Sequence, residues 1–399
     1  MIRILCRKAL VIKIRAFFVL LMLCSGCQIS HVRNHAPDIN KIKPQPVPKP
    51  IVQAEYIISF VGDVILHERL RKREEATQEG YQKIWSEMQP YIDASDISYA
   101  NLEGPVAPEY GGVTGFPMFN YPEKIISALK NNGVDIVSTA NNHALDRQAK
   151  GIKKTIQNLK KYNLAYTGTI SGESTQSEVE TWWGLTPLKN TKLSLAWIAC
   201  TEMTNGNHDK EHLVLYCYKD KEKIKELIIQ LRAMPNVAGI ILTPHWGEEE
   251  KFEIEAGRRL WAHTMINLGA LAIVGSHPHV VQKIENYIAE DGRQSFIAYS
   301  LGNFVSNQPW VPNKASMVLF SKMKLNTYEK LELVDIKYIP LWMNRTIDKD
   351  YTSKFRLEPV WDYTKKPSEA VRIWGQQLGE TYRIKSLFEA DLYFKARKK

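Results

Sequence analysis

The sequence predicts an α/β fold, and three observations carry the prediction. Short apolar runs recur from Glu55 onward and are continuous rather than alternating, as expected of strands covered on both faces. Segments with helical spacing lie between them, and strand–helix alternation marks α/β architecture. Five of the runs end in polar residues that can hold a ligand, which is where open α/β sheets place their sites.

The segments follow in chain order. Residues 1–27 read as a secretion signal of the lipoprotein type. Arg3, Arg7, Lys8, Lys13 and Arg15 lead into the apolar run Ala16–Leu23, which is too short to span a bilayer comfortably. The run ends at Leu23-Cys24-Ser25-Gly26-Cys27, similar to a bacterial lipobox with Cys27 as the lipidated residue, although Cys24 stands where leucine is preferred. An exported, membrane-anchored lipoprotein of the cell envelope is the expected location. Residues 28–54 form a tether. Lys43-Pro44-Gln45-Pro46-Val47-Pro48-Lys49-Pro50 has proline at alternate positions, and proline fixes φ and removes a donor, so the stretch is extended and coreless.

The main domain is expected over residues 55–345. Its strand-like runs are Tyr56–Val61, Ile97–Ala100, Val134–Val137, Leu193–Ala199, Val237–Leu242, Ala270–Val274 and Phe296–Tyr299. Helical spacing covers Glu123–Asn131, Gly151–Tyr162, Lys219–Ala233 and Glu253–Leu268. The Lys219 segment is rich in Glu, Lys, Leu and Ile, good helix formers except for the mildly disfavoured isoleucine. Past Ser306, Ser316–Leu325 and Lys330–Trp342 are strand-like without loop chemistry and are expected to complete a second sheet. Residues 346–399 are read as an extension with a helix over Ser368–Leu378.

Of the 399 residues, 44% are hydrophobic and 24% charged, enough for a sizeable core. The net charge of +10 resides at the ends: setting aside the basic start, the Arg33–Lys49 stretch and the Lys395–Lys399 tail leaves the body at about −2. A nucleic-acid face on the domain is therefore not expected. Only Cys200 and Cys217 remain in the mature body, and they admit either a disulfide or two buried thiols.

The five strand ends carry the chemistry. They read Phe60-Val61-Gly62-Asp63, Tyr99-Ala100-Asn101-Leu102-Glu103-Gly104, Ser138-Thr139-Ala140-Asn141-Asn142-His143, Leu242-Thr243-Pro244-His245-Trp246-Gly247 and Gly275-Ser276-His277-Pro278-His279. Alone, Gly62-Asp63 reads equally as a helix cap or turn, and His245-Trp246 as a packed aromatic pair. Together they place four of the ten histidines on three strand ends, rigid mounts of the kind a metal site needs. A mixed Asp, Glu, Asn and His set suits manganese, iron or zinc rather than calcium or a thiolate site.

These phrases, with Ala140-Asn141-Asn142-His143-Ala144-Leu145-Asp146, Pro244-His245-Trp246-Gly247-Glu248-Glu249, Ser276-His277-Pro278-His279-Val280-Val281-Gln282 and Ser300-Leu301-Gly302-Asn303-Phe304, resemble the poly-γ-glutamate capsule-synthesis family of the CapA/PgsA type, within the calcineurin-like metallophosphatase superfamily. The motifs stand in family order over roughly Glu55–Ser306. The resemblance implies a four-layer αββα sandwich with two mixed sheets and two divalent metal ions. By motif, Asp63 and His279 would hold the first metal and Asn142, His245 and His277 the second. Glu103 would bridge them, and His143 would be the proton donor or transition-state stabiliser. Two departures stand out: the superfamily's histidine two residues after the first aspartate is here Ile65, and the bridging aspartate is a glutamate. His67, nearby, is read as a surface or packing residue.

The resemblance implies a metal-dependent, phosphoesterase-like protein of capsule synthesis or export. Its partners would be a polymer synthetase or export complex, an anionic polymer or phosphoester substrate, and the membrane through the N-terminal lipid. Two rival readings stand beside it: a non-catalytic tethered subunit of such a complex, and a general periplasmic phosphoesterase.

Overall fold

The computed structural model describes residues 54–76, 80–174, 179–347 and 353–360. The chain runs through β1 (Glu55–Val64), α1 (Glu68–Glu75), α2 (Gln89–Asp93), β2 (Ile97–Leu102), α3 (Lys124–Asn131), β3 (Ile136–Ser138), α4 (Gln148–Lys161) and β4 (Ala165–Thr167). It continues through β5 (Trp183–Pro187), β6 (Ser194–Thr201), α5 (Lys221–Ala233), β7 (Val237–His245), α6 (Ala256–Leu268), β8 (Ala272–Val274), β9 (Ile284–Ile288) and β10 (Gln294–Ala298). The last strands are β11 (Asn303–Val305), β12 (Ala315–Leu325), β13 (Leu331–Ile347) and β14 (Ser353–Pro359).

These strands form two mixed sheets. The first has the order β14-β13-β12-β1-β2-β3-β4, with β11 also pairing β1. Its β1-to-β4 half is parallel and its β12-to-β14 half antiparallel. The second has the order β5-β6-β7-β8-β10-β9, with a parallel centre and antiparallel edges.

Alternate residues of β1 show how the layers stack. Ile58 and Phe60 pack inward with Trp197 of β6, Ile241 of β7 and Phe296 of β10. Ile57 and Val61 pack outward with Ile92 of α2 and Ile125 and Leu129 of α3. On the far side, Ile198, Ile240 and Ile273 meet Ile224 and Ile228 of α5 and Trp261 and Met265 of α6. The arrangement is helix, sheet, sheet, helix, the four-layer αββα sandwich with two mixed sheets that the family resemblance implies. Because both faces of the central strands are covered, their sequences carry no polar alternation.

One expectation is corrected. The segments Ser316–Leu325 and Lys330–Trp342 do not complete the second sheet; as β12 and β13 they extend the first. β12 lies antiparallel on β1 from Glu55↔Lys324 to Phe60↔Leu319. The reason is the entry point: β11 pairs parallel with the carboxyl end of β1 at Asp63↔Asn303. The chain therefore emerges beside the edge of β1 that β2 does not occupy. β14, past residue 345, pairs with β13 from Leu341↔Pro359 to Ile347↔Ser353 and continues this sheet.

Cys200 and Cys217 form a disulfide, with Cα atoms 5.0 Å apart. Residues 1–53, including Cys27 and nearly all of the expected tether, and the helix expected over Ser368–Leu378 lie outside the described residues. Among the described residues no helix is long and apolar enough to cross a membrane.

Candidate metal centre

The carboxyl ends of five parallel strands meet at one place. Asp63 is the next-to-last residue of β1, Glu103 follows β2, Asn142 and His143 lie in the turn after β3, His245 ends β7, and His277 and His279 follow β8. Two glycines make the approach possible. A Cβ on Gly62 would overlap the Gly302 carbonyl oxygen, and one on Gly275 would overlap the Tyr299 carbonyl and the Trp246 indole. Each glycine therefore lets its strand end lie against a neighbouring backbone.

Asp63 is fully buried and both its oxygens are engaged. Oδ1 accepts from Asn101 Nδ2 at 2.7 Å, and Oδ2 accepts from the His277 N–H at 3.3 Å and from His279 Nδ1 at 3.1 Å. His245 Nε2 lies 3.0 Å from Asn142 Oδ1, while its Nδ1 lies 2.9 Å from Ser276 Oγ and 3.2 Å from Asn101 Nδ2. Glu103 is also fully buried, yet neither oxygen has a hydrogen-bond partner. Its Oε1 is 3.7 Å from His245 Nε2 and 3.8 Å from His279 Nε2, too far for hydrogen bonds. Buried His277 Nδ1 is likewise unpartnered.

The fully buried donor atoms fall into two overlapping sets. Asp63, Glu103 and His279 form one; Glu103, His245 and His277 form the other; within each, the donors lie within 4.8 Å of one another. Glu103 is common to both, and Asn142 adjoins the second through His245. A buried carboxylate with both oxygens unsatisfied is costly unless a cation compensates it. The residues present therefore fit divalent metal ions, and their oxygen and imidazole donors match manganese, iron or zinc.

Electrostatics agree with the geometry. Burial pushes the Glu103 carboxyl well above the usual range, and the neighbouring charges of Asp63 and Glu249 add to it while His279 opposes. Burial, then His277 and His279, pulls His245 well below the ordinary imidazole range. Burial with His279 and His143 lowers His277 to about 3, leaving it neutral. His279 differs: burial pushes it down, but Glu103 and Asp63 outweigh that and lift it to about 9. The turn itself is strained, since His277 at φ +97° and His279 at φ +57° both occupy the positive-φ region.

His143 is held differently. Its Nδ1 lies 2.7 Å from Asp146 Oδ2, which also accepts the Phe119 N–H at 2.6 Å. A carboxylate accepts, so Nδ1 carries the proton and Nε2 is left facing Asn205 Nδ2 at 3.5 Å. Ile65 is buried in the core between the first sheet and its helices, so its side chain belongs to that core. His67 is partly buried: its Nδ1 accepts the Asn307 N–H at 3.2 Å and its ring stands edge-on to Phe119 at 5.6 Å. Burial, then His279 and His143, lowers it to about 4. It belongs to none of the donor sets.

All seven candidate residues of the domain, Asp63, Glu103, Asn142, His143, His245, His277 and His279, are brought to one region, while Cys27 lies outside the described residues. Sequence reasoning passed over Asn101, Asp146 and Asn205. Asn101 stands two residues before Glu103, and Asp146 three after His143, a spacing that one turn brings together. Asn205 arrives from the other half of the chain and carries no local signal.

The family model for the bacterial capsule synthesis protein PGA_cap matches residues 57–308. The capsule biosynthesis protein CapA of Bacillus anthracis is 27% identical over 330 residues, covering 80% of this chain and 75% of the relative. The PGA biosynthesis protein CapA of Bacillus subtilis (strain 168) is 28% identical over 281 residues, covering 70% of each. Among solved structures, the NAD nucleotidase of Haemophilus influenzae superposes with a TM-score of 0.46 at 11% identity, over 87% of this chain and 68% of that one.

Proposed function

The chain belongs to the bacterial capsule synthesis protein family, and from that premise we propose that it is a metal-dependent, phosphoesterase-like protein acting in poly-γ-glutamate capsule synthesis or export at the cell surface. The observation that carries the reading is the buried, unpartnered Glu103 shared by two donor sets. Export and lipid anchoring at Cys27 complete the reading, with a synthetase or export complex as partner. The Cys200–Cys217 disulfide supports export, because such bonds persist in oxidising compartments.

Asp63 and His279 would hold a first divalent ion, His245, His277 and Asn142 a second, with Glu103 between them. Bound ions would supply Lewis-acid polarisation of the scissile group and a water acidic enough to react at neutral pH. The chain's own residues do the rest. Asn101 fixes one oxygen of Asp63, so that carboxylate cannot rotate. Asp146 accepts from His143 Nδ1 and so orients the ring. Nε2 is then the atom that passes a proton to the leaving group. Phe119 stands edge-on to the His143 ring, with centroids 4.6 Å apart, and its N–H shares Asp146 Oδ2, so it packs against the ring that Asp146 holds.

One observation favours a non-catalytic, tethered subunit of the complex: Ile65 sits in the hydrophobic core where the superfamily carries a histidine. Two variants separate the readings. In an enzyme, His143→Ala keeps fold and metal but lowers hydrolysis of a phosphodiester or a γ-linked glutamate polymer by about 10²–10⁴-fold. His277→Ala loses the metal. In a scaffold, His143→Ala leaves polymer output intact and His277→Ala abolishes it. Equal tolerance of both changes would overturn the metal-dependent reading altogether.

A further inference from the structure

The exposed carboxylate of Glu249 lies beside the buried centre. A carboxylate oxygen of Glu249 and one ring nitrogen each of His277 and His279 all lie within 4.8 Å of one another. Those two histidines belong to different donor sets, so Glu249 stands where the two sets meet. Glu103 is fully buried, whereas Glu249 is exposed, which places the second carboxylate on the solvent side. His277 Nδ1, buried and unpartnered, is an independent sign that this cluster awaits a ligand.

The backbone holds Glu249 there by means unrelated to its side chain. The Glu250 N–H donates to the Pro278 carbonyl at 2.9 Å, tying the loop directly to the turn that carries both histidines. Gln282 Nε2 donates to the Lys251 carbonyl at 2.9 Å, and the Gly247 N–H donates to Glu202 Oε2 at 2.7 Å, pinning the loop at both ends. Gly247 at φ +101° and Glu250 at φ +64° supply the reversals that bring the intervening residues over the centre. Glu248 and Glu250 are equally exposed, but no donor set among the described residues includes them.

We infer that Glu249 is an additional metal-binding residue, a solvent-side carboxylate that closes the centre opposite Glu103 and exchanges with incoming ligand. The inference rests on the metal-centre reading above. Its consequences are chemical. A third carboxylate supplies a hard oxygen donor to a centre otherwise rich in imidazole. It also lowers the net charge that an anionic substrate meets. Being exposed, it can swing away at little cost, which a buried ligand cannot.

The test uses the full chain stripped with chelator and titrated with manganese alone, read by calorimetry and by the metal-induced rise in melting temperature. Glu249→Gln should weaken manganese binding by roughly tenfold or more. Its metal-free melting temperature should stay at the wild-type value, because the side chain is exposed and its loop is held by backbone bonds. Glu248→Gln, the neighbouring control, should bind as wild type does. Wild-type affinity in Glu249→Gln, or equal weakening in both variants, would overturn this inference alone. A wild-type protein that takes up none of manganese, iron and zinc would overturn both it and the reading beneath it.

Discussion

At the scale of single residues, each acid at the centre is distinguished by its partners. Asp63 has both oxygens engaged by Asn101, His277 and His279; Glu103 is buried beside His245 and His279 without a hydrogen bond; Asp146 holds His143 and the Phe119 N–H through one oxygen. These differences assign roles that residue type alone leaves equal. The Asp146–His143 pair gives a direct prediction. An amide can donate as well as accept, so Asp146→Asn no longer fixes the proton on Nδ1 of His143. If the protein is the proposed hydrolase, turnover should fall by about 10²-fold or more, while metal content, measured by elemental analysis, stays at the wild-type level. Loss of metal in that variant would show that Asp146 supports the donor sets rather than His143.

At the scale of elements, the site depends on how closely strand ends pack. The β1 backbone runs against the chain just ahead of β11 at Gly62, where the Gly302 carbonyl occupies the space of a side chain, and the Asp63 N–H donates to that carbonyl at 3.1 Å. Gly62→Ala must therefore push two strands apart next to a metal-ligand candidate. Forced overpacking of this kind costs about 1–3 kcal/mol, and Asp63 should shift with it. Equilibrium denaturation should show the loss of stability, and metal titration a weaker site. Unchanged stability would mean that the β1–β11 contact yields freely. The same contact explains why β12 joins the first sheet: β11 delivers the chain to the open edge of β1, and no pattern within Ser316–Leu325 announces this.

At the scale of the whole molecule, the basic ends and the centre are separate features. The domain body carries about −2 once the terminal cations are set aside, so electrostatic attraction to an anionic surface is confined to the ends. If Cys27 is lipidated, Cys27→Ser moves the protein from the membrane fraction to the soluble one, as fractionation and immunoblotting would show. Unchanged partitioning would remove the lipid anchor from the proposal. The disulfide acts within the domain: it closes the loop that brings Asn205 to His143, linking the second sheet to the turn after β3.

Residue order alone revealed the α/β class, most strands of the parallel core though not β4 or β11, and the seven domain residues that meet at one end. It could do so because strands buried on both faces leave unbroken apolar runs, and ligands of an open sheet must follow them. Its local patterns also located helices α3 to α6 to within a few residues. Edge strands such as β9, five residues long with only Ile284 buried, left too short a signal. Tertiary structure alone decided which sheet β12 and β13 join, whether Cys200 and Cys217 pair, and which donors share a cluster. It also decided that Asn205 and Glu249 face the centre. Each of these is a contact between segments far apart in the chain, fixed by where backbones cross in space, and no local pattern of residues encodes that crossing.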